Sequence, residues 1–168
     1  MGILFSGTEL VNIAIGIEAK GAAFYDSLVS STKDAVARSS YQILANKERE
    51  HLEIFRKMLG SVGDYQLPET YTEEYDLYLK ALVDSAIFSD EQIAREMAKK
   101  VSSEADALQI GLEAEKDSIL FYSEMRVLVR RTDREVINRI IEEERSHLRQ
   151  LLNLRRRLSS GDNRTTIR

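Results

Sequence analysis

The sequence contains no cysteine. This absence excludes disulfide bonds, thiolate-bound zinc, iron–sulfur clusters and thiol catalysis. A metal ion bound by this chain would therefore be held by Glu, Asp or His side chains, a donor set that suits iron, manganese or zinc.

Other scarce features narrow the class of protein. The 168 residues include one proline and few strand-like runs, which favours an all-α domain. No apolar run approaches the length of a membrane span, and a net charge of −4 favours neither nucleic acid nor a membrane as partner. The N-terminus has no basic region and soon reaches Glu9, unlike a signal peptide, so we expect a cytoplasmic protein.

Four long segments carry apolar residues at helical spacing. The first starts at the capping box Ser6–Glu9, the second spans about 34–59 with Gly60 as its stop, the third spans about 103–131, and the fourth follows a capping box at Thr132–Glu135. Between the second and third, a capping box at Thr70–Glu73 starts a short helix through residue 88, and another short helix reaches residue 100. We predict one bundle domain over 1–158, with hairpins over 6–60 and 103–158, a partly helical crossover over 61–102, and a disordered tail over 159–168.

The only two histidines each follow a glutamate by three residues, in Glu48-x-x-His51 and Glu144-x-x-His147. Three residues make about one helical turn, so both side chains of each pair point the same way. The two pairs are separated by 96 residues, since 144 − 48 and 147 − 51 give the same offset. A chain that uses histidine only in this pattern is expected to build one site from two halves.

A second correspondence shows that the pairs belong to an internal repeat. Glu18 is followed by Phe24-Tyr25, and Glu115 is followed at the same distance by Phe121-Tyr122, with an offset of 115 − 18 = 97. The first helical hairpin therefore returns as the second, which predicts a bundle with approximate two-fold symmetry.

The chemistry of this pattern indicates a metal site. Four glutamates and both histidines fall on the apolar faces of the predicted helices: Glu18, Glu48, His51, Glu115, Glu144 and His147. Burying a carboxylate without a partner costs several kcal/mol or forces it to take up a proton. No Lys or Arg lies on these faces, whereas two divalent cations would neutralise four carboxylates. Buried, salt-linked Glu–His pairs are the alternative.

Tyr25 and Tyr122 each lie two turns beyond one of the single glutamates, on the same face. They are interpreted either as amphipathic core tyrosines or as groups whose hydroxyls hydrogen-bond carboxylate ligands or stabilise bound oxygen species.

With these residues, the chain resembles the ferritin-like superfamily and, within it, the rubrerythrin branch, from about residue 8 to 158. The resemblance implies an all-α, ferritin-like four-helix bundle with two iron ions, for which manganese or zinc could substitute. It further implies that Glu48 and Glu144 bridge the metals, that Glu18 and Glu115 are terminal ligands, and that His51 and His147 each bind one metal.

The resemblance also implies a class of reaction. Such proteins reduce hydrogen peroxide, react with dioxygen or oxidise ferrous iron. The expected function is that of a non-haem di-iron oxidoreductase of peroxidase or oxidase type, active against oxidative stress. Iron oxidation for storage or handling, and a non-catalytic bundle stabilised by metal, are the alternatives. A homodimer is the expected assembly.

Two departures from rubrerythrins bear on the activity. Without cysteine the chain has no rubredoxin module, so the electrons are expected from a separate, rubredoxin-like protein. Rubrerythrins also carry an extra glutamate one turn beyond the ligand on the third main helix, and Ser118 stands at that position here.

Overall fold

The protein was analysed as a computed structural model, which describes residues 4–63 and 65–160. Within these residues every regular element is a helix: α1 Gly7–Ser31, α2 Ala35–Val62, α3 Glu73–Asp84, α4 Glu91–Lys100, α5 Glu104–Leu128 and α6 Arg134–Ser159. No helix in the described part of the chain is long and apolar enough to cross a membrane. The predicted all-α architecture is confirmed.

Two antiparallel hairpins, α1–α2 and α5–α6, form the four-helix bundle, and the crossover helices wrap around it. The hairpins meet where α1 packs on α5 and α2 packs on α6, while α4 lies against α1 and α3 against α5. The crossover thus covers the side of the bundle formed by α1 and α5.

Two helices start where the sequence predicts. The Ser6 side chain accepts a hydrogen bond from the Glu9 amide, and the Glu9 carboxylate accepts one from the Ser6 amide, so the first capping box is confirmed. Asp34 caps α2 by accepting from the Ala37 amide.

Two predicted helix ends were wrong. The second helix does not stop at Gly60 but continues to Val62, which is buried, and it ends at Gly63, whose φ of 50° suits glycine. The third long helix ends at Leu128 rather than near residue 131. Residues 161–168 of the predicted disordered tail lie outside the described residues, and Ser159 still belongs to α6.

The two remaining capping boxes were also wrong. Helix α3 is capped by Thr72, not Thr70, and it ends at Asp84 rather than reaching residue 88. Asp133 precedes α6 in a helical conformation and makes no side-chain capping bond. Its carboxylate instead accepts a hydrogen bond from Nε of Arg130 at 2.8 Å.

The apolar core consists of two separate clusters of buried side chains. One contains Leu10, Phe55, Met125 and Ile140 among others, and the second contains Phe24, Leu44, Leu108 and Leu154 among others. Because the first joins the N-terminal turns of α1 to the C-terminal turns of α2, and the second joins their opposite ends, the clusters occupy the two ends of the bundle. The polar site lies between them.

Candidate metal centre

Six buried polar side chains meet in the middle of the bundle. None is more than 3% exposed, and each of the four main helices contributes at least one: Glu18 from α1, Glu48 and His51 from α2, Glu115 from α5, and Glu144 and His147 from α6. These are the six residues predicted from the sequence. The structure brings all of them together, whereas Glu50 and Glu53, on the same helix as His51, face solvent as expected.

One group of donor atoms forms around His51. Its Nδ1 lies 2.7 Å from Oε1 of Glu144 and 3.5 Å from Oε2 of Glu18. With Glu48, these residues offer four ligand atoms within 4.8 Å of one another.

A second group forms around His147. Its Nδ1 lies 3.3 Å from Oε1 of Glu48, 3.4 Å from Oε2 of Glu115 and 3.5 Å from Oε2 of Glu144. The four residues again offer ligand atoms within 4.8 Å of one another. Glu48 and Glu144 belong to both groups, as bridging ligands between two metals would.

The unsatisfied atoms of the cluster provide a test of whether it suits metal ions. Six side-chain atoms within residues 4–63 and 65–160 are buried and make no hydrogen bond of acceptable angle: Oε2 of Glu18, Oε1 of Glu48, Nδ1 of His51, both carboxylate oxygens of Glu144, and Nδ1 of His147. This holds even for Nδ1 of His51 and Oε1 of Glu144, which are 2.7 Å apart. Buried polar atoms normally have partners, and here the atoms without one are those that face each other across the two groups. Oxygen and imidazole nitrogen donors converging in this way suit two divalent cations.

A charge count favours cations over the alternative of salt-linked Glu–His pairs. Two protonated imidazoles would leave two of the four negative charges uncompensated, whereas two divalent ions compensate all four. A buried, uncompensated carboxylate is costly because the low-dielectric interior disfavours its charged form.

The pKa values show the same imbalance. Burial, helped by the charge of Glu144, raises the pKa of Glu115 to about 8. Burial, followed by the charges of Glu48 and Glu144, holds the pKa of Glu18 well above its ordinary value. Burial alone would lower the pKa of His51, but the neighbouring carboxylates of Glu144 and Glu18 outweigh it and raise that pKa to about 11. Without cations, protons must balance the carboxylates, and a divalent ion that binds would displace them.

Tyr25 and Tyr122 lie against the cluster, and each forms a hydrogen bond to a carboxylate of the other hairpin. Tyr25 of α1 donates a hydrogen bond to Oε1 of Glu115 on α5, and Tyr122 of α5 donates one to Oε1 of Glu18 on α1. Both tyrosines are buried. Each hydroxyl occupies one oxygen of its carboxylate and leaves Oε2 directed at a histidine.

Glu143 is a residue of the site that the sequence analysis missed. Its Oε2 lies 3.2 Å from Nε2 of His51, on the side of the ring away from the cluster, and 3.6 Å from Nζ of Lys47. A carboxylate in this place fixes the orientation of an imidazole and raises its basicity as a ligand. Glu143 is half exposed and stands in a run of three glutamates, so only its position directly before Glu144 could have indicated a role.

Ser118 was predicted to replace an extra carboxylate, and its surroundings fit that prediction. It is buried one turn beyond Glu115, and its Oγ donates to the carbonyl oxygen of Ala114 at 3.0 Å. Glu113 faces away from the cluster, where it accepts hydrogen bonds from Gln109 and Lys116.

Comparison with known proteins agrees with the geometry. The rubrerythrin family model matches residues 9–155. A crystal structure from Thermotoga maritima, of a protein described as ferritin-like and of the diiron-carboxylate type, matches with a TM-score of 0.70 and 26% sequence identity, over 93% of this chain and 98% of that chain. A search of curated proteins finds no match.

Proposed function

The chain belongs to the rubrerythrin family, and from this premise we propose that it is a di-iron redox protein that reduces hydrogen peroxide or reacts with dioxygen. The observation that carries the proposal is the set of six buried donor atoms without partners at the centre of the bundle. Together with Glu115, the residues that carry these atoms form two groups that share Glu48 and Glu144, which suits a pair of ions with two common ligands.

We assign each residue the task that its position supports. Glu48 and Glu144 would hold both ions, Glu18 and His51 one of them, and Glu115 and His147 the other. When bound, a pair of ferrous ions supplies two electrons and Lewis acidity.

The surrounding residues prepare the site for that chemistry. The O–H groups of Tyr25 and Tyr122 hold the terminal carboxylates in place, so that one oxygen of each remains directed inward. The apolar clusters at both ends of the bundle limit the access of water. A rubredoxin-like electron donor, a homodimer and a cytoplasmic location remain predictions from the sequence.

Metal content tests the premise. Protein purified from iron-supplied cells should contain about two metal ions per chain, because two groups of ligands are present. A correctly folded protein with less than about half an ion per chain would contradict the proposal.

Oxidant preference then tests the reaction. The reduced protein, prepared without oxygen, is mixed with hydrogen peroxide or with dioxygen, and the change in absorbance is followed by stopped flow. Faster oxidation by peroxide supports peroxide reduction, and faster oxidation by dioxygen supports an oxidase. Repeated turnover with added ferrous iron, accompanied by mineral formation, would instead support iron storage. If the protein binds metal but neither oxidant reacts with it, the ions would serve only to stabilise the bundle.

A further inference from the structure

Gly21 lies in the middle of α1, where a glycine needs a physical reason. A glycine inside a helix is less stable than an alanine, because its backbone loses more conformational freedom on folding. Gly21 is buried and has no positive φ, so its helical backbone would suit alanine equally well. The reason for the glycine must therefore lie in the space that a side chain would occupy.

The space beside Gly21 is filled by the side chain of Glu48, which comes from α2. A Cβ atom at Gly21 would lie 2.8 Å from Oε2 of Glu48, 3.2 Å from its Cδ and 3.3 Å from its Cγ. These are the three nearest atoms outside the local turns of α1, and none of them belongs to a backbone. Gly21 therefore makes room for one of the two shared ligands, rather than for close packing of two helix backbones.

A methyl group at Gly21 could not be accommodated by rotation of the carboxylate alone. Rotation about the Cγ–Cδ bond of Glu48 moves Oε2, but it leaves Cδ and Cγ closer than the 3.4 Å at which ordinary van der Waals contact begins. The whole end of the side chain would have to move away from α1. Because Oε1 of the same carboxylate lies 3.3 Å from Nδ1 of His147, inside the cluster, this movement would alter the geometry of the ligands.

A second glycine and the internal repeat show that this arrangement is particular to Gly21. A Cβ atom at Gly16, on the same helix, would meet no heavy atom within 4 Å among the described residues outside its own helical turns. The repeat-equivalent of Gly21 is Ser118, since 118 − 21 = 97. The second hairpin thus carries a side chain where the first has none, so the glycine is not a requirement of the repeated hairpin.

We propose that Gly21 is a positioning residue of the metal centre, which by lacking a side chain lets the Glu48 carboxylate lie against α1 and serve both metal positions. This inference rests on the proposed metal centre. It adds to the six ligands a residue that touches no metal and acts only through Glu48. Gly21→Ala would displace Glu48, and both metal positions would lose affinity together because they share this ligand.

Anaerobic titration with cobalt measures the effect on the metal positions. Gly21→Ala should weaken cobalt binding by about tenfold or more at both positions and change the absorption spectrum, since residues that support metal ligands have effects of this size. Gly16→Ala makes the same change on the same helix, where the methyl group meets nothing, and should leave affinity and spectrum unchanged. Unchanged cobalt binding by folded Gly21→Ala, or equal weakening by both variants, would overturn the proposal.

Thermal unfolding of the metal-free protein, followed by circular dichroism, separates the contact with Glu48 from helix packing. Gly16→Ala should raise the melting temperature by roughly 1–4 °C, because alanine stabilises a helix interior relative to glycine. Gly21→Ala should not raise it in the original sequence, but should raise it similarly when Glu48→Ala has removed the opposing side chain. An equal change in both backgrounds would contradict the proposal.

The Glu48→Ala background also covers the case in which Gly21→Ala does not fold. Glu48→Ala itself should fold without metal, because it removes a buried carboxylate. Folding of the double variant would then show that the clash is with Glu48 and would support the proposal. If Glu48→Ala folds and the double variant does not, Gly21 serves helix packing and the proposal is overturned.

Metal content distinguishes a failure of this inference from a failure of the proposed function. If the original protein binds neither iron nor cobalt, the redox function is contradicted, and the role of Gly21 is contradicted with it. If the protein binds metal and Gly21→Ala behaves like Gly16→Ala, only the role of Gly21 is contradicted.

Discussion

The two halves of the metal centre are alike where they face each other and different where they face outward. In the half around His51, the Glu143 carboxylate lies against the outer side of the His51 ring. The repeat-equivalent of Glu143 is Lys47, since 143 − 96 = 47. In the half around His147, every ion-pair contact of the histidine among the described residues is made by Nδ1, which faces the cluster. The inner ligands are the same residue types in both hairpins, while the residues behind them differ. Two metal positions with equivalent ligands are therefore expected to differ in affinity.

The strongest test of the two-group arrangement removes a shared ligand and compares it with an unshared one. Glu144→Ala takes a ligand from both groups and should abolish binding of both metals, whereas Glu115→Ala takes a ligand from one group and should leave about one metal per chain. Metal analysis measures the content, and circular dichroism verifies that the helices remain. Loss of both metals in each variant would show that the groups do not bind independently.

The next largest effect concerns the asymmetry itself. Glu143→Ala should weaken binding by about 10- to 100-fold at the position of His51 and leave the position of His147 unchanged, because it removes the carboxylate that orients only one imidazole. Anaerobic titration with cobalt, whose absorption reports on each occupied site, resolves the two affinities.

Glu142 supplies the control for this measurement. It is the preceding glutamate on the same helix, it is exposed, and it pairs with Arg145 rather than with a histidine. Glu142→Ala should leave both affinities unchanged. Equal weakening of the two positions by Glu143→Ala would show that the outer carboxylate acts through the general charge of the site and not through His51.

The inner part of the site could be predicted from the sequence, and the outer part could not. Glu18, Glu48 and their repeat-equivalents were predictable because a carboxylate on an apolar helical face stands out against the period of the helix. The approach of Glu143 to His51 depends on how α6 packs against α2, and it joins residues 92 positions apart. Neither helical spacing nor the repeat contains that information, because the equivalent of Glu143 is a lysine.

The helix ends also show that a local sequence pattern cannot predict contacts that depend on neighbouring segments. Thr132–Glu135 has the residue types of a capping box with Thr132 as the cap. The residue that precedes α6 is instead Asp133, which is helical and whose carboxylate accepts from Arg130 rather than from the first turn of α6. A local pattern predicts a cap only if the preceding turn leaves the side chain free to make it. The connection between α5 and α6 is short, and the nearby guanidinium competes for the same carboxylate.

The smallest effect is expected where the two halves are most alike. Tyr25→Phe and Tyr122→Phe each remove one hydrogen bond to a terminal carboxylate, so each should lower the free energy of unfolding by about 1–3 kcal/mol while both metals stay bound. Denaturant unfolding of the metal-loaded protein measures this loss. Since each carboxylate is freed to turn, the cobalt spectrum should change in both variants and by a similar amount.

Tyr41→Phe is the control that separates a change in the metal centre from the general cost of losing a buried tyrosine hydroxyl. Tyr41 is buried and its ring stacks on Tyr25, but its hydroxyl donates to Glu104, outside the metal centre. The variant should lose stability without altering the cobalt spectrum. If the cobalt spectrum responds to Tyr25→Phe but not to Tyr122→Phe, the two terminal carboxylates are not equivalent as ligands. The two halves of the site would then differ at Glu18 and Glu115 as well as at Glu143.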